Sequence, residues 1–568
     1  MREPYVFPLS ESPFSPDVPP LERRQRVLAV GADVVTDELG LVIDFMSEAD
    51  VDAVLNDPRF AAVGMPTLAL SGVHDGPLYD LWSELMFTKD AAEHHRIRAV
   101  VARDFTPKVI EQLRGDVQSI ATTLCDRLEG VDTTDLASSF AVPLAARVAC
   151  HVVGIPEHDA DQAAVWAFDL VRAFFPFMSV ERRERAQRAA VEFCAYVDDL
   201  LAEKRRNPAD DIASRLASDS VADVLSYEEA RALTMNLIFG GLEATAKSIA
   251  TGVYNLLTHD KAAELAAHRD RIPAAVLELL RFAPPAQSVA RLAPTDLVCQ
   301  DVALRAGQVA SANLVAACRD PKRHRHPDTL DFDRESSKQL AFGAGTHYCL
   351  GANLAKLALG VAFESLLDRF PTMSLVDTAD HDDHDDHGVV WDYEGFAGVV
   401  VLPVRLHGCP GGLAGTPDES VGVDAEVGEA LDAAHAVDGT HFVVDHGEQA
   451  CRVLAEHLDQ EIEGTRGEHD VDHSGDVGDP VGDITDVALD AHAERSHHRV
   501  AERKRVGDAD DLHHPGIEQS LHSKARGRGG EADQFSEVGV AGSTVVLQRI
   551  DELTIGVVEM VGGHRELT

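Results

Sequence analysis

Of the eight cysteines in the chain, one stands apart by its surroundings. In the segment LAFGAGTHYCLGANLAKLALGVAFESLLDRF, Cys349 lies between a glycine-rich loop and an amphipathic helical pattern. Gly343, Gly345 and Gly351 would let the backbone turn sharply and approach a flat ligand closely. At the start of a helix, unpaired N–H groups and the positive end of the dipole favour a thiolate. A thiolate so placed suits haem iron as an axial ligand, where its electron donation favours O–O cleavage over reversible oxygen carriage. Any lone cysteine is otherwise a small buried hydrophobe, and that reading applies to Cys125, Cys150, Cys194, Cys299 and Cys318.

Elements able to position such a group are mostly helical. ADVVTDELGLVIDF reads as two short strands about a turn, and SEADVDAVLND as a helix stopped by Asp57-Pro58. EHHRIRAVVARDF, PKVIEQLRGDVQSIATTLCDRLEG and RAQRAAVEFCAYVDDLLAEKRRN are long helical patterns. SYEEARALTMNLIFGGLEATAKSIATGVYNLLTH, starting at Ser226, exceeds a typical globular helix and should cross the domain. Gly240-Gly241 in its middle costs roughly 1 kcal/mol per residue relative to Ala. Either a ligand or a neighbouring helix comes close there. The fold class expected is mainly α with a small β region.

The chain is long enough, at 568 residues, for a large enzyme core with something added. Its net charge of -45 opposes binding to nucleic acid or an anionic membrane surface. Cysteines at irregular spacings point to a reducing, cytoplasmic setting rather than a disulfide framework. Neither a signal peptide nor a membrane span is expected. Residues 407–568 carry 34 acids against 12 Lys+Arg, 14 of the 27 His, no Trp or Tyr and two Phe. So few large side chains offset little of the entropy of ordering a backbone. The expected division is an enzyme domain over 1–406 and an acidic tail over 407–568 that is poorly ordered and without a function of its own. HDDHDDH, residues 381–387, reads as an acidic solvated loop before it reads as a metal site.

With its motifs set out, the chain resembles the cytochrome P-450 family, in particular its soluble bacterial members. FGAGTHYCLG, from Phe342 and Gly343 to Gly351, matches the family's cysteine-ligand loop at each signature position. The resemblance runs over 1–406 and implies a haem-thiolate domain with Cys349 holding the iron of haem b. By the same match His94, Arg98, Arg291 and His347 are expected to meet the two haem propionates. Glu278 and Arg281 form the family's buried ExxR pair, with Arg334 a further candidate member. On the long helix the family commonly carries an acid followed by an alcohol, which relay protons to the activated oxygen. Here the acid is Glu243, the alcohol position is Ala244, and Thr245 comes one residue later, about 100° around the helix. A substrate hydroxyl, ordered water or an inward-turned Thr245 would have to stand in.

The implied activity is a monooxygenase of secondary metabolism, hydroxylating or epoxidising an apolar small molecule with O2. The aromatics Trp166, Phe168, Phe174, Phe175 and Phe177 are expected as a lid over the substrate, and Met65–Phe87 as a second recognition loop. With no GxGxxG fingerprint, and only Cys409 and Cys451 in the tail, electrons are expected from a separate ferredoxin and NAD(P)H-dependent reductase. Arg96, Arg103, Lys108 and Lys356 are the candidate docking cations. Peroxide-driven or oxidative-coupling chemistry, or a non-catalytic haem sensor, are the alternatives.

Overall fold

The computed structural model describes residues 2–9, 12, 20–89, 91–175, 178–335, 339–376, 388–393 and 395–406. The chain divides into two units, Met1–His441 and Phe442–Thr568, and every described residue belongs to the first. HDDHDDH and the tail from 407 onward lie outside the described residues.

The described part is mainly helical, and its centre is the helix Tyr227–Thr258. That helix starts where local chemistry says it should. Ser226 caps it by accepting from the Glu229 N–H, and the Glu229 side chain accepts from the Ser226 N–H in return. Between Ala232 and Val253 nearly every residue is buried, including Glu243, Thr245 and Lys247. Helices Val142–Val153, Ala160–Val171, Val180–Arg206 and Ala352–Arg369 pack around it. The two expected strands form as Val34–Asp37 and Val42–Phe45, antiparallel, with Val34 opposite Phe45. They belong to a five-stranded mixed sheet in which Val42–Phe45 pairs in parallel with Val309–Asn313, and that strand pairs antiparallel with Ser288–Leu292.

Two expectations needed correction. PKVIEQLRGDVQSIATTLCDRLEG is two helices, Pro107–Gln112 and Arg114–Arg127, broken at Leu113. A continuous apolar period does not register a one-residue change of direction that both halves can satisfy by burying separate faces. The Met65–Phe87 segment is largely helical, with Gly64–Leu70, Gly76–Glu84 and a 3₁₀ turn at Met86–Thr88. Pro77 sits in a first helical turn, where its missing N–H costs nothing. Among the described residues no helix is long and apolar enough to cross a membrane.

Two buried charged groups shape the stability of this frame. Glu278 receives Arg281 Nε and Nη2 at 2.8 and 2.9 Å and Arg334 Nε at 3.0 Å, so Arg334 does join the pair. Arg281 Nη1 also donates to the Cys318 and Pro327 carbonyls, tying the helix Ile272–Phe282 to the loop beyond it. Replacing Arg281 with Leu strands the buried Glu278 charge beside a single remaining cation and should cost about 3–5 kcal/mol, read as a lower denaturation midpoint.

Asp44 lies fully inside the sheet with Asn313 donating to its Oδ2 at 2.9 Å and no donor on Oδ1. Burial pushes its carboxyl up to about 6, against smaller opposing effects of Asn313 and Ser311. A raised carboxyl favours the folded state only while protonated, so this contribution is complete below about pH 4 and is lost as pH rises through 6. The stability of wild type relative to Asp44→Asn should therefore fall by about 2–3 kcal/mol between pH 4 and 7.5, read as the difference between the two proteins' unfolding free energies at each pH.

Candidate active site

The Cys349 loop is built by backbone geometry that its sequence requires. Gly343 and Gly345 both have φ near 70°. A Cβ on Gly345 would lie 2.2 Å from the Leu55 carbonyl oxygen, so no other residue fits there. The Cys349 N–H donates to the Phe342 carbonyl at 3.0 Å and the Tyr348 N–H to Gly345 at 3.1 Å, which folds the loop back on itself. Helix Ala352–Arg369 begins three residues after the cysteine, capped at Gly351. Protein crowds Cys349 closely, yet its side chain keeps accessible surface, as a group facing an internal cleft does. Burial pushes the thiol up, while the Gly351 N–H, Arg98 and Lys356 act in the opposite direction.

Beside it four cation-forming residues converge from three elements. His94 and Arg98 come from helix Ala91–Val101, Arg291 from strand Ser288–Leu292, and His347 from the cysteine loop. The His94 and His347 rings lie 4.2 Å apart. Among the described residues none of the four has a carboxylate within ion-pair distance, and His94 Nδ1 is buried without a partner. Burial, helped by Arg98 and other neighbouring cations, holds His94 down to about 4. His347 is held down to about 3 by burial, then by His94, Arg291 and Arg98. Burial and the neighbouring guanidiniums thus disfavour the imidazolium at both positions, and an anion brought alongside would oppose that effect. Arg98 and Arg291 are likewise depressed, chiefly by burial.

A second set of charges sits on the central helix. Lys247 Nζ donates to Glu243 Oε1 at 2.5 Å, Asp392 Oδ2 at 2.8 Å and the Phe396 carbonyl at 2.7 Å. Arg172 joins Asp392 at 2.5 Å and stands 3.9 Å from Glu243. Burial pushes the Asp392 carboxyl up, but Lys247 and Arg172 outweigh it and hold the group well below the usual carboxylate range. Glu243 is thus part of a neutral foursome, with its Oε2 buried and unpartnered. Sequence reasoning missed Lys247, Asp392 and Arg172; the i, i+4 spacing of Glu243 and Lys247 was a signal for the first, and nothing local pointed to the others.

The glycine pair has two separate explanations. A Cβ on Gly241 would meet Ala149 of a neighbouring helix at 3.5 Å, whereas on Gly240 it would meet only the Asn236 amide. Gly240 and Ala244 keep accessible surface, and Thr245 is mostly buried.

The aromatic segment also divides. Phe174 packs against Trp82, Phe87 and Phe239 of the central helix, with ring centroids 5.1, 4.2 and 5.6 Å away. Phe175 meets Phe396. Trp166 instead stacks on Phe193 and donates to Glu192, within the packing of its own helix and the next. Phe177 lies outside the described residues.

The family model described as Cytochrome P450 matches residues 159–396. Polyketide biosynthesis cytochrome P450 PksS of Bacillus subtilis is 34% identical over 331 residues, 58% of this chain and 79% of the relative. Mycinamicin IV hydroxylase/epoxidase of Micromonospora griseorubida is 35% identical, covering 57% of this chain and 81% of that enzyme.

The chain belongs to the cytochrome P450 family.

Solved structures agree with this P450 assignment: CalO2 matches with a TM-score of 0.60 at 29% identity, over 65% of this chain and 91% of that one. P450BioI, solved with an acyl carrier protein bearing hexadec-9Z-enoic acid, matches with a TM-score of 0.58 at 29% identity, over 64% and 92%. The fold is the P450 fold, and the protein is a P450 monooxygenase. The family's cofactor is a haem with a cysteine thiolate ligand, and the residues present fit one. Cβ atoms on Gly343 or Gly351 would meet nothing within 4 Å beside the thiol, and the four cation-forming groups lack only an anion.

Removing the Lys247 charge tests the neutral foursome. Lys247→Met should destabilise the fold by about 3–5 kcal/mol, because the buried Glu243 and Asp392 would lose the cation that joins them. Adding Glu243→Gln should recover part of that loss, so that the double-mutant cycle measures a coupling above about 1 kcal/mol.

Proposed function

We propose that residues 1–406 form a haem b monooxygenase domain that inserts one atom of O2 into an apolar organic molecule, by hydroxylation or epoxidation. The observation that carries this reading is the convergence of His94, Arg98, Arg291 and His347 beside Cys349 without an acid among them. Buried like charges at one place are costly unless a ligand supplies the counter-charge. Two propionates would do so, with Arg98 and Arg291 able to fork onto carboxylates and the imidazoles gaining protons as the anion arrives. Cys349 would hold the iron, with Phe342 and Gly343 shaping the turn that presents it. Bound in this way, the haem supplies the O2 activation that no side chain can perform.

What the chain's own residues add is orientation and proton supply. Phe87 and Phe174, stacked on each other and only partly buried, offer an apolar surface backed by the buried Phe239 that would favour a hydrocarbon substrate. Glu243 is the acid of the proton path, with Lys247 and Asp392 linking it toward solvent. Ala244 leaves the alcohol position without a hydroxyl, which favours the substrate or an ordered water as the missing donor. The tail, 407–568, is given no function of its own.

Electrons would come from an external ferredoxin and its NAD(P)H-dependent reductase. Of the docking cations, Arg96 is tied up by Glu229 and Glu93, so Arg103, Lys108 and Lys356 carry the proposal. Relatives and structural neighbours favour polyketide-like or carrier-bound substrates: one is named for polyketide biosynthesis, and another was solved with an acylated carrier protein.

A reduced, carbon-monoxide-treated sample should show the thiolate P450 spectrum, and Cys349→Ala should abolish it while far-ultraviolet circular dichroism is retained. Turnover with ferredoxin, reductase and NADPH should exceed turnover with peroxide alone. The reverse order would favour peroxide-driven chemistry, and no turnover with either would favour a haem sensor.

A further inference from the structure

Between Ala232 and Val253 only Asn236, Leu237, Gly240, Gly241 and Ala244 of the central helix keep accessible surface. At about 100° per residue these five fall within one sector roughly 140° wide. A stripe of accessible surface on an otherwise buried helix is the wall of an internal cleft. Four of its five side chains are apolar or absent. The exception is Asn236.

The Asn236 side chain lies along the helix, its Nδ2 3.6 Å from where a Gly240 Cβ would stand. Its Oδ1 is buried and accepts no hydrogen bond from any described residue. An amide oxygen in that condition loses its hydration without replacement, and a donor brought by a ligand restores it. On the same accessible sector its neighbours are Leu237, Gly240 and Ala244, none of which carries a polar side chain. Asn236 is therefore a polar point on an apolar surface, as sites that orient a largely hydrophobic ligand use.

We propose that Asn236 is a specificity-determining residue whose Oδ1 accepts a hydrogen bond from a hydroxyl or N–H of an otherwise apolar substrate. This rests on the monooxygenase reading above and adds the substrate's polar handle. Asn236 stands two turns from Ala244, about 12 Å along the helix axis. A molecule that engages both ends is therefore extended or macrocyclic, with its donor remote from the carbon oxidised. Such a donor anchors the ligand and is a different group from any hydroxyl that would stand in at Ala244.

The test uses the haem-loaded full chain and optical titration with dodecan-1-ol and with its methyl ether, which keeps the oxygen but lacks the donor. Wild type should bind the alcohol about 3- to 10-fold more tightly than the ether. Asn236→Leu should erase that ratio by weakening the alcohol alone, and the smaller Asn236→Ala should do the same without filling the cleft. Equal binding of both probes by wild type, binding of neither, or an unchanged ratio in both variants overturns the proposal. A missing thiolate spectrum in wild type would instead sink the monooxygenase reading. A normal spectrum with no preference for the alcohol sinks only the role of Asn236.

Discussion

A helix of 32 residues buried on nearly every side has no access to bulk water along most of its length, and the rest of the domain is arranged around that constraint. Each polar group it carries must be met by another element or by a ligand. Its ends are satisfied locally, by the Ser226–Glu229 box at one terminus and at the other by the His259 and Lys261 N–H groups, which donate to the Asn255 and Leu256 carbonyls. Its middle cannot be. The fold supplies Arg172 from the end of one helix and Asp392 from a terminal strand to surround Glu243 and Lys247, and leaves one sector of the helix open.

The two buried charge clusters are balanced in different ways. Around Glu243, among the described residues, two acids and two bases neutralise one another, so these side chains can be buried without a ligand. Around Cys349, four cation-forming groups meet no acid among the described residues, and burial and the guanidiniums disfavour protonation of the two imidazoles. The first cluster holds elements together. The second is complete only with an anion, and that difference separates a structural network from a binding site more sharply than residue type does.

The same distinction explains Gly240 and Gly241. Two adjacent glycines in one helix are a single feature by sequence, yet one meets a helix and the other an open face. Adjacent positions differ by about 100° in direction, so they belong to different surroundings. Ala244 and Thr245 are divided by the same rotation.

Much of this domain was legible because its determinants are local. A cap three residues before a glutamate, a proline after Asp57, glycines where φ is positive, and a thiol ahead of a helix are all set by interactions within a few residues. The cysteine loop was therefore placed from residue types and spacing, whereas the ExxR pair and the propionate candidates came from the resemblance to the P450 family. What only the tertiary structure decided involves partners far apart in the chain: Asp392 against Lys247, Arg334 against Glu278, Arg96 held by Glu229 rather than free for a redox partner, and Trp166 turned into helix packing while Phe174 stacks on Phe87. The break at Leu113 belongs with these. Local sequence specifies a backbone conformation, but which charge neutralises which, and which face is left open, depends on elements brought together only when the core closes.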